Sequence, residues 1–255
     1  MFFKAKRKVD ILRNLKLTIA YKGTDYHGFQ KQKNAVTVQE ILETTLSKLL
    51  NENVNIYGCS RTDSGVHAND YCVSLYTQKM VPNNKFIRGL NSYLPSDISI
   101  LNCEDVDLDF HARYSCKAKE YLYLIHNSES KNPFTKDLEF HYNRPLDIEK
   151  IKCASEFLVG THDFKSFCSY NNEKVNTTRT IYYIDIKKDI NTVKILVKGD
   201  GFLYNMVRII IGTLLYVNEG KIKVDYIPEI LKLKDRKYAG KTAQSHGLYL
   251  NKVYY

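Results

Sequence analysis

In Gly58-Cys59-Ser60-Arg61-Thr62-Asp63-Ser64-Gly65-Val66-His67-Ala68 a carboxylate, Asp63, stands two residues after a guanidinium, Arg61, among small residues that let another molecule approach the backbone. A single carboxylate in a desolvated pocket can act as nucleophile or base if it stays ionised. Burial alone raises its pKa, and a neighbouring guanidinium counters that rise. The same residues also suit a tight turn in which Asp63 caps its own loop amides. Short alternating apolar stretches at 54–57 and 71–77 read as strands on either side, so the motif falls on a loop that a sheet can present. A second charge stands out in Met206-Val207-Arg208-Ile209-Ile210-Ile211, where Arg208 sits inside an apolar run and needs a partner. A backbone carbonyl or a carboxylate would serve.

Composition narrows the class of partner. The chain has 255 residues, enough for two domains, and a formal net charge of +10, which points towards a polyanion. Twenty tyrosines and no tryptophan supply aromatic faces on which unpaired bases can stack, although most tyrosines belong in strands and core. The six cysteines, at 59, 72, 103, 116, 153 and 168, form no C-x-x-C pair, so neither a zinc cage nor a disulfide framework is expected. Residues 1–7 are basic but precede no apolar stretch with a cleavage site, and the most apolar run, 206–217, is too short to cross a bilayer. A cytoplasmic, reducing location is the expectation.

The elements that would position these residues follow from periodicity. Residues 15–21 alternate as a strand, and Thr37-Val38-Gln39-Glu40 is a capping box that opens a helix with one apolar face through about Leu50. After the strand pair around Asp63, a helix is expected over 83–93 and a strand over 98–106. Strand, helix, strand, strand, helix, strand is the ferredoxin-like arrangement. The second half repeats it, with strands at 117–126, 180–187, 192–198 and 247–255 and helices at 148–158, 203–217 and, briefly, 228–233. The expected fold is α+β: two ferredoxin-like halves, residues 1–108 and 109–255, with a central antiparallel sheet and a cleft between them.

Several stretches together resemble the TruA family of tRNA pseudouridine synthases along nearly the whole chain. Arg61 to Ala68 is similar to the family's signature loop, and Tyr21-Lys22-Gly23-Thr24-Asp25-Tyr26-His27-Gly28-Phe29-Gln30 to its first motif, with Phe29 where Trp is more frequent. Phe110-His111-Ala112-Arg113-Tyr114-Ser115-Cys116-Lys117-Ala118-Lys119-Glu120-Tyr121 resembles the segment ending in a base-stacking tyrosine, with Lys119-Glu120 replacing two arginines. Gly160-Thr161-His162-Asp163-Phe164 matches a segment read as structural, and residues 200–214 and 239–250 match the later blocks, without the proline often found near Gln244 and Ser245.

The resemblance implies that Asp63 is the catalytic nucleophile, that Arg208 pairs with it across the cleft, and that Tyr121 stacks on the target base. Arg61 would fill the vacated space or hold the adjacent phosphate. It further implies isomerisation of uridines 38, 39 and 40 in the tRNA anticodon stem-loop by a homodimer, or of other uridines by a paralogue. The reaction moves the ribose C1′ bond from uracil N1 to C5 with no redox change or external group, so no cofactor and no metal are expected. Whether Asp63 adds to the base, attacks C1′ or abstracts the C2′ proton stays open. Two other classes compete: a non-catalytic RNA-binding protein, and an aspartic protease, for which Asp63-Ser64-Gly65 supplies only one of two required triplets.

Overall fold

The computed structural model describes residues 12–169 and 176–255; the basic segment at 1–7 lies outside them. The first half runs β1 (Arg13–Tyr21), α1 (Val38–Leu50), β2 (Tyr57–Gly58), β3 (His67–Thr77), α2 (Asn83–Tyr93) and β4 (Ile98–Val106). The second runs β5 (Ala118–Asn127), β6 (Phe140–Tyr142), α3 (Ile148–Glu156), β7 (Gly160–Asp163), β8 (Thr178–Asp189), β9 (Thr192–Gly199), α4 (Met206–Asn218), α5 (Ile227–Leu233) and β10 (Leu248–Tyr254). All strands join one sheet in the order β4-β1-β3-β10-β5-β9-β8-β7, with β2 beside β3 and β6 beside β5. Pairing is antiparallel except between β3 and β10 and between β5 and β6.

The order explains the duplication. In the second half, β10-β5-β9-β8 places the fourth, first, third and second core strands side by side, and β4-β1-β3 with β2 repeats that order in the first half. Alternation works as the sequence suggests: Leu15, Leu17, Ile19 and Tyr21 of β1 are all buried. Thr37 caps α1, its hydroxyl accepting from the Glu40 N–H at 3.4 Å, and Asn51 closes the helix in the left-handed region. The helix turns Val38, Leu42, Leu46 and Leu50 into the core, and α2 adds Phe86 and Leu90. Among the described residues no helix is long and apolar enough to cross a membrane.

Three expectations need correction. The strand expected at 54–57 shrinks to Tyr57–Gly58, because α1 side chains take the amides it would have offered a ladder. Ser47 Oγ accepts from Val54 N–H at 3.0 Å and Glu43 Oε1 from Ile56 N–H at 3.2 Å. Conversely β3 begins at His67 rather than 71, since Tyr249 and Leu250 of β10 pair with His67 and Ala68. The long helix starts at Met206, three residues later than its apolar pattern, because Asn205 adopts φ 61° and breaks the approach.

Candidate active site

The loop bearing Asp63 leaves the sheet at Gly58 and re-enters at His67. Its backbone is tied to the first loop of the chain: Phe29 N–H donates to Thr62 O at 3.2 Å and Gly65 N–H to Tyr26 O at 3.3 Å. Beneath it, the Tyr21 hydroxyl and Thr62 Oγ1 are 2.8 Å apart. Gly65 has φ +75°, and a Cβ there would stand 2.7 Å from Ser245 Oγ, so only glycine suits the turn against the C-terminal block. The turn closes through the Asp63 backbone carbonyl, which accepts from Val66 N–H at 3.2 Å. The carboxylate is directed elsewhere.

Its partner is Arg208, in the first turn of α4. Arg208 donates from Nη1 to Asp63 Oδ2 at 3.1 Å and to Asn205 Oδ1 at 2.8 Å, and from Nε to Ala243 O at 2.7 Å. The two alternatives open for a charge in that run, a carbonyl and a carboxylate, are thus both used. Ala243 O reaches Arg208 because α4 and residues 240–243 are in backbone contact, where a Cβ on Gly212 would collide with Lys241 O at 1.6 Å. The side chains of Arg208 and Asp63 are 17% and 25% exposed. Burial pushes the Asp63 carboxyl above its ordinary range, while the charge and hydrogen bond of Arg208 draw it back part of the way.

Asp63 and Arg208 line a cavity of about 660 Å³ that also takes in Arg61, Tyr121, Lys119, Arg113 and Arg179. Asp63 is the sole carboxylate among its described lining residues. Tyr121, on β5, presents a buried ring edge-on to Phe202, centroids 5.0 Å apart, with its hydroxyl 3.3 Å from Ser60 Oγ. Burial raises the phenol pKa and keeps it protonated. Its neighbour on the same strand face, Tyr123, is fully buried, donating to Gln244 O at 2.9 Å. Arg61 is exposed at the cavity wall.

All four residues singled out from the sequence, Asp63, Arg208, Tyr121 and Arg61, thus share one cavity. The Gly160–Asp163 strand does not take part: Asp163 pairs with Lys234, and Phe164 and Phe167 are core. Several contributors carried no sequence signal of their own. Asn205 and Ala243 orient Arg208, and Phe202 backs Tyr121. His67 is a further one: its Nδ1 accepts from Gly23 N–H at 2.9 Å, so Nε2 carries the proton and donates to His246 O at 3.1 Å. It joins the first loop, the Asp63 loop and the C-terminal block, and burial lowers its pKa.

A family model described as tRNA pseudouridine synthase matches residues 17–115 and 154–255. The chain belongs to the tRNA pseudouridine synthase family. It is 47% identical over 244 residues to tRNA pseudouridine synthase A of Thermoanaerobacter sp. (strain X514), covering 96% of this chain and all of that protein. It is 46% identical over 244 residues, with the same coverages, to tRNA pseudouridine synthase A of Acetivibrio thermocellus and to tRNA pseudouridine synthase A 2 of Clostridium perfringens. As a pseudouridine synthase the chain is an isomerase, and the cavity sets Asp63 against a basic, aromatic wall.

Proposed function

We propose that this pseudouridine synthase isomerises uridines 38, 39 and 40 of the tRNA anticodon stem-loop, acting as a cytoplasmic homodimer with tRNA lying across both subunits. Asp63 is the catalytic nucleophile and Arg208 keeps it ionised and aimed. The two units of residues 1–108 and 109–255 each supply one member of the pair. The observation that carries this reading is the 3.1 Å contact between Arg208 Nη1 and Asp63 Oδ2 at the wall of a cavity lined by further cations.

The chemistry follows from those groups. Uridine leaves the RNA stack, at a cost of a few kcal/mol, and enters beside Tyr121, whose ring restores stacking of roughly 1–3 kcal/mol. Attack by the Asp63 carboxylate, on C1′ or on the base, accompanies scission of the C1′–N1 bond; the base turns, C1′ bonds to C5, the carboxylate departs, and the C5 proton is lost while N1 gains one. Proton abstraction from C2′ is the third route by which the same carboxylate could act. Arg61 holds the adjacent phosphate or fills the space the uridine left. Nothing is oxidised or reduced, so no cofactor is required.

Purified protein incubated with unmodified tRNA transcript should form pseudouridine at those positions, while Asp63→Asn should bind the transcript and form none. Full activity in Asp63→Asn refutes the nucleophile. Product confined to other uridines refutes the positions and leaves the isomerase a paralogue with a different target.

A further inference from the structure

Beside the cavity stands an aromatic ladder that the reaction itself does not use. The rings of Tyr57 and His111 lie 4.9 Å apart and those of His111 and Tyr114 4.4 Å apart, tilted by 43° and 38°. The guanidinium of Arg113 lies 5.9 Å from the centre of the Tyr114 ring. Tyr114 is 78% exposed and Tyr57 43%. The ladder adjoins the cavity at both ends of its framework, for Gly58, which follows Tyr57, and Arg113 both line it.

This turn is held rigidly. His111 N–H donates to Ser115 Oγ at 3.0 Å and His111 O accepts from Ser115 N–H at 2.9 Å, while His111 Nδ1 accepts from Arg113 N–H at 3.0 Å. Between them, Ala112 N–H donates to Ser74 Oγ of β3 at 3.1 Å and Ala112 O accepts from the Tyr255 hydroxyl at 2.8 Å. So a pinned backbone, not a loose loop, presents a large ring to solvent.

Resting on the function proposed above, we infer that the Tyr57–His111–Tyr114 ladder is a stacking platform for an unpaired nucleobase flanking the target uridine, with Arg113 meeting that nucleotide's phosphate. Extruding a uridine strips its neighbour of a stacking partner, and the ladder beside the cavity replaces it. A nucleotide is the occupant the surroundings favour, because exposed rings, a guanidinium laid near one of them and a cation-lined cavity occur together on a chain of net charge +10.

The test uses the full chain and an anticodon stem-loop RNA carrying 2-aminopurine next to the target uridine. In an Asp63→Asn background, binding should quench the 2-aminopurine, and Tyr114→Ala should abolish the quench and weaken binding about tenfold, as loss of one stacked base does. Tyr114→Phe should stay within about twofold of its parent, since it keeps the ring. With Asp63 intact, Tyr114→Ala should raise the RNA concentration for half-maximal single-turnover rate by the same factor and leave the rate at saturation unchanged. Tyr114 makes its contacts at the surface, so the variant should fold. An unchanged quench and affinity in Tyr114→Ala, with the wild type forming pseudouridine, overturns the platform alone. A wild type that neither binds nor isomerises the stem-loop overturns the functional reading, and the platform with it.

Discussion

Replacing Arg208 by glutamine removes the charge that, with its hydrogen bond, draws the Asp63 pKa down, leaving burial to raise it further. Two unit charges 3.1 Å apart interact by about 1.3 kcal/mol in water and about 5 kcal/mol at an effective dielectric of 20. With the two side chains 17% and 25% exposed, the environment lies between those limits. An opposite charge at such range favours the ionised carboxyl, and each tenfold change in that equilibrium corresponds to about 1.4 kcal/mol. On the role proposed for Asp63, the acid limb of the single-turnover rate reports its ionisation, so Arg208→Gln should move that limb upward. Arg208→Lys keeps a charge but cannot reproduce the fork to Asp63, Asn205 and Ala243, so its acid limb should stay near that of the wild type while its plateau falls. The assay is pseudouridine formation with enzyme in excess over tRNA across the pH range. An Arg208→Gln acid limb coincident with the wild type refutes the electrostatic reasoning.

Three further outcomes are expected. Affinity for tRNA should fall steeply with rising salt, since the cavity is lined by Arg61, Arg113, Lys119 and Arg179; affinity flat across ionic strength would exclude phosphate contacts there. Tyr121→Ala should lose roughly 1–3 kcal/mol of base stacking, whereas Tyr121→Phe retains the ring against Phe202 and loses only the contact to Ser60; equal single-turnover rates for wild type and Tyr121→Ala would end the stacking role. Because burial lowers the His67 pKa, the unfolded chain takes up a proton that the native imidazole resists, so stability should fall as pH drops below about 6.5, the ordinary histidine value. Thermal melting of His67→Gln should show a shallower decline over that range, and parallel declines would refute the assignment.

What could be read in advance was whatever leaves a local trace. Arg208 stands out because a charge interrupts an apolar helix, and Asp63 because it lies between two alternating stretches. Neither pattern says that Ala243 O and Asn205 Oδ1 complete the guanidinium's partners, since a carbonyl has no signature and Ala243 is 35 residues away. The strand expected at 54–57 has the right alternation, and Val54 and Ile56 are buried as it requires. Its hydrogen bonds go to Ser47 and Glu43 of α1 instead, a choice made by tertiary packing. His67 looked like one polar residue in a motif, because the Gly23 and His246 groups it joins are 44 and 179 residues distant.

The placement of the site follows from how the two halves meet. In the second half, β8 and β9 pair from Ile181↔Gly199 to Asp189↔Thr192, but their first-half counterparts, β2 and β3, pair only at Tyr57↔Ser74 and Gly58↔Val73. The remaining edge of β3, at His67 and Ala68, is taken by β10. The chain must therefore quit the sheet between Gly58 and His67, where the second half enters it. The departing segment is the Asp63 loop, and the arriving one follows directly on residues 243–246, whose Ala243, Ser245 and His246 meet Arg208, Gly65 and His67. One shortened strand thus both frees the loop that carries the carboxylate and admits the block that orients its guanidinium. Lengthening β2 to match β8 would have to displace either β10 or the Asp63 loop, so the short strand is a condition of the site and not an irregularity of the first half.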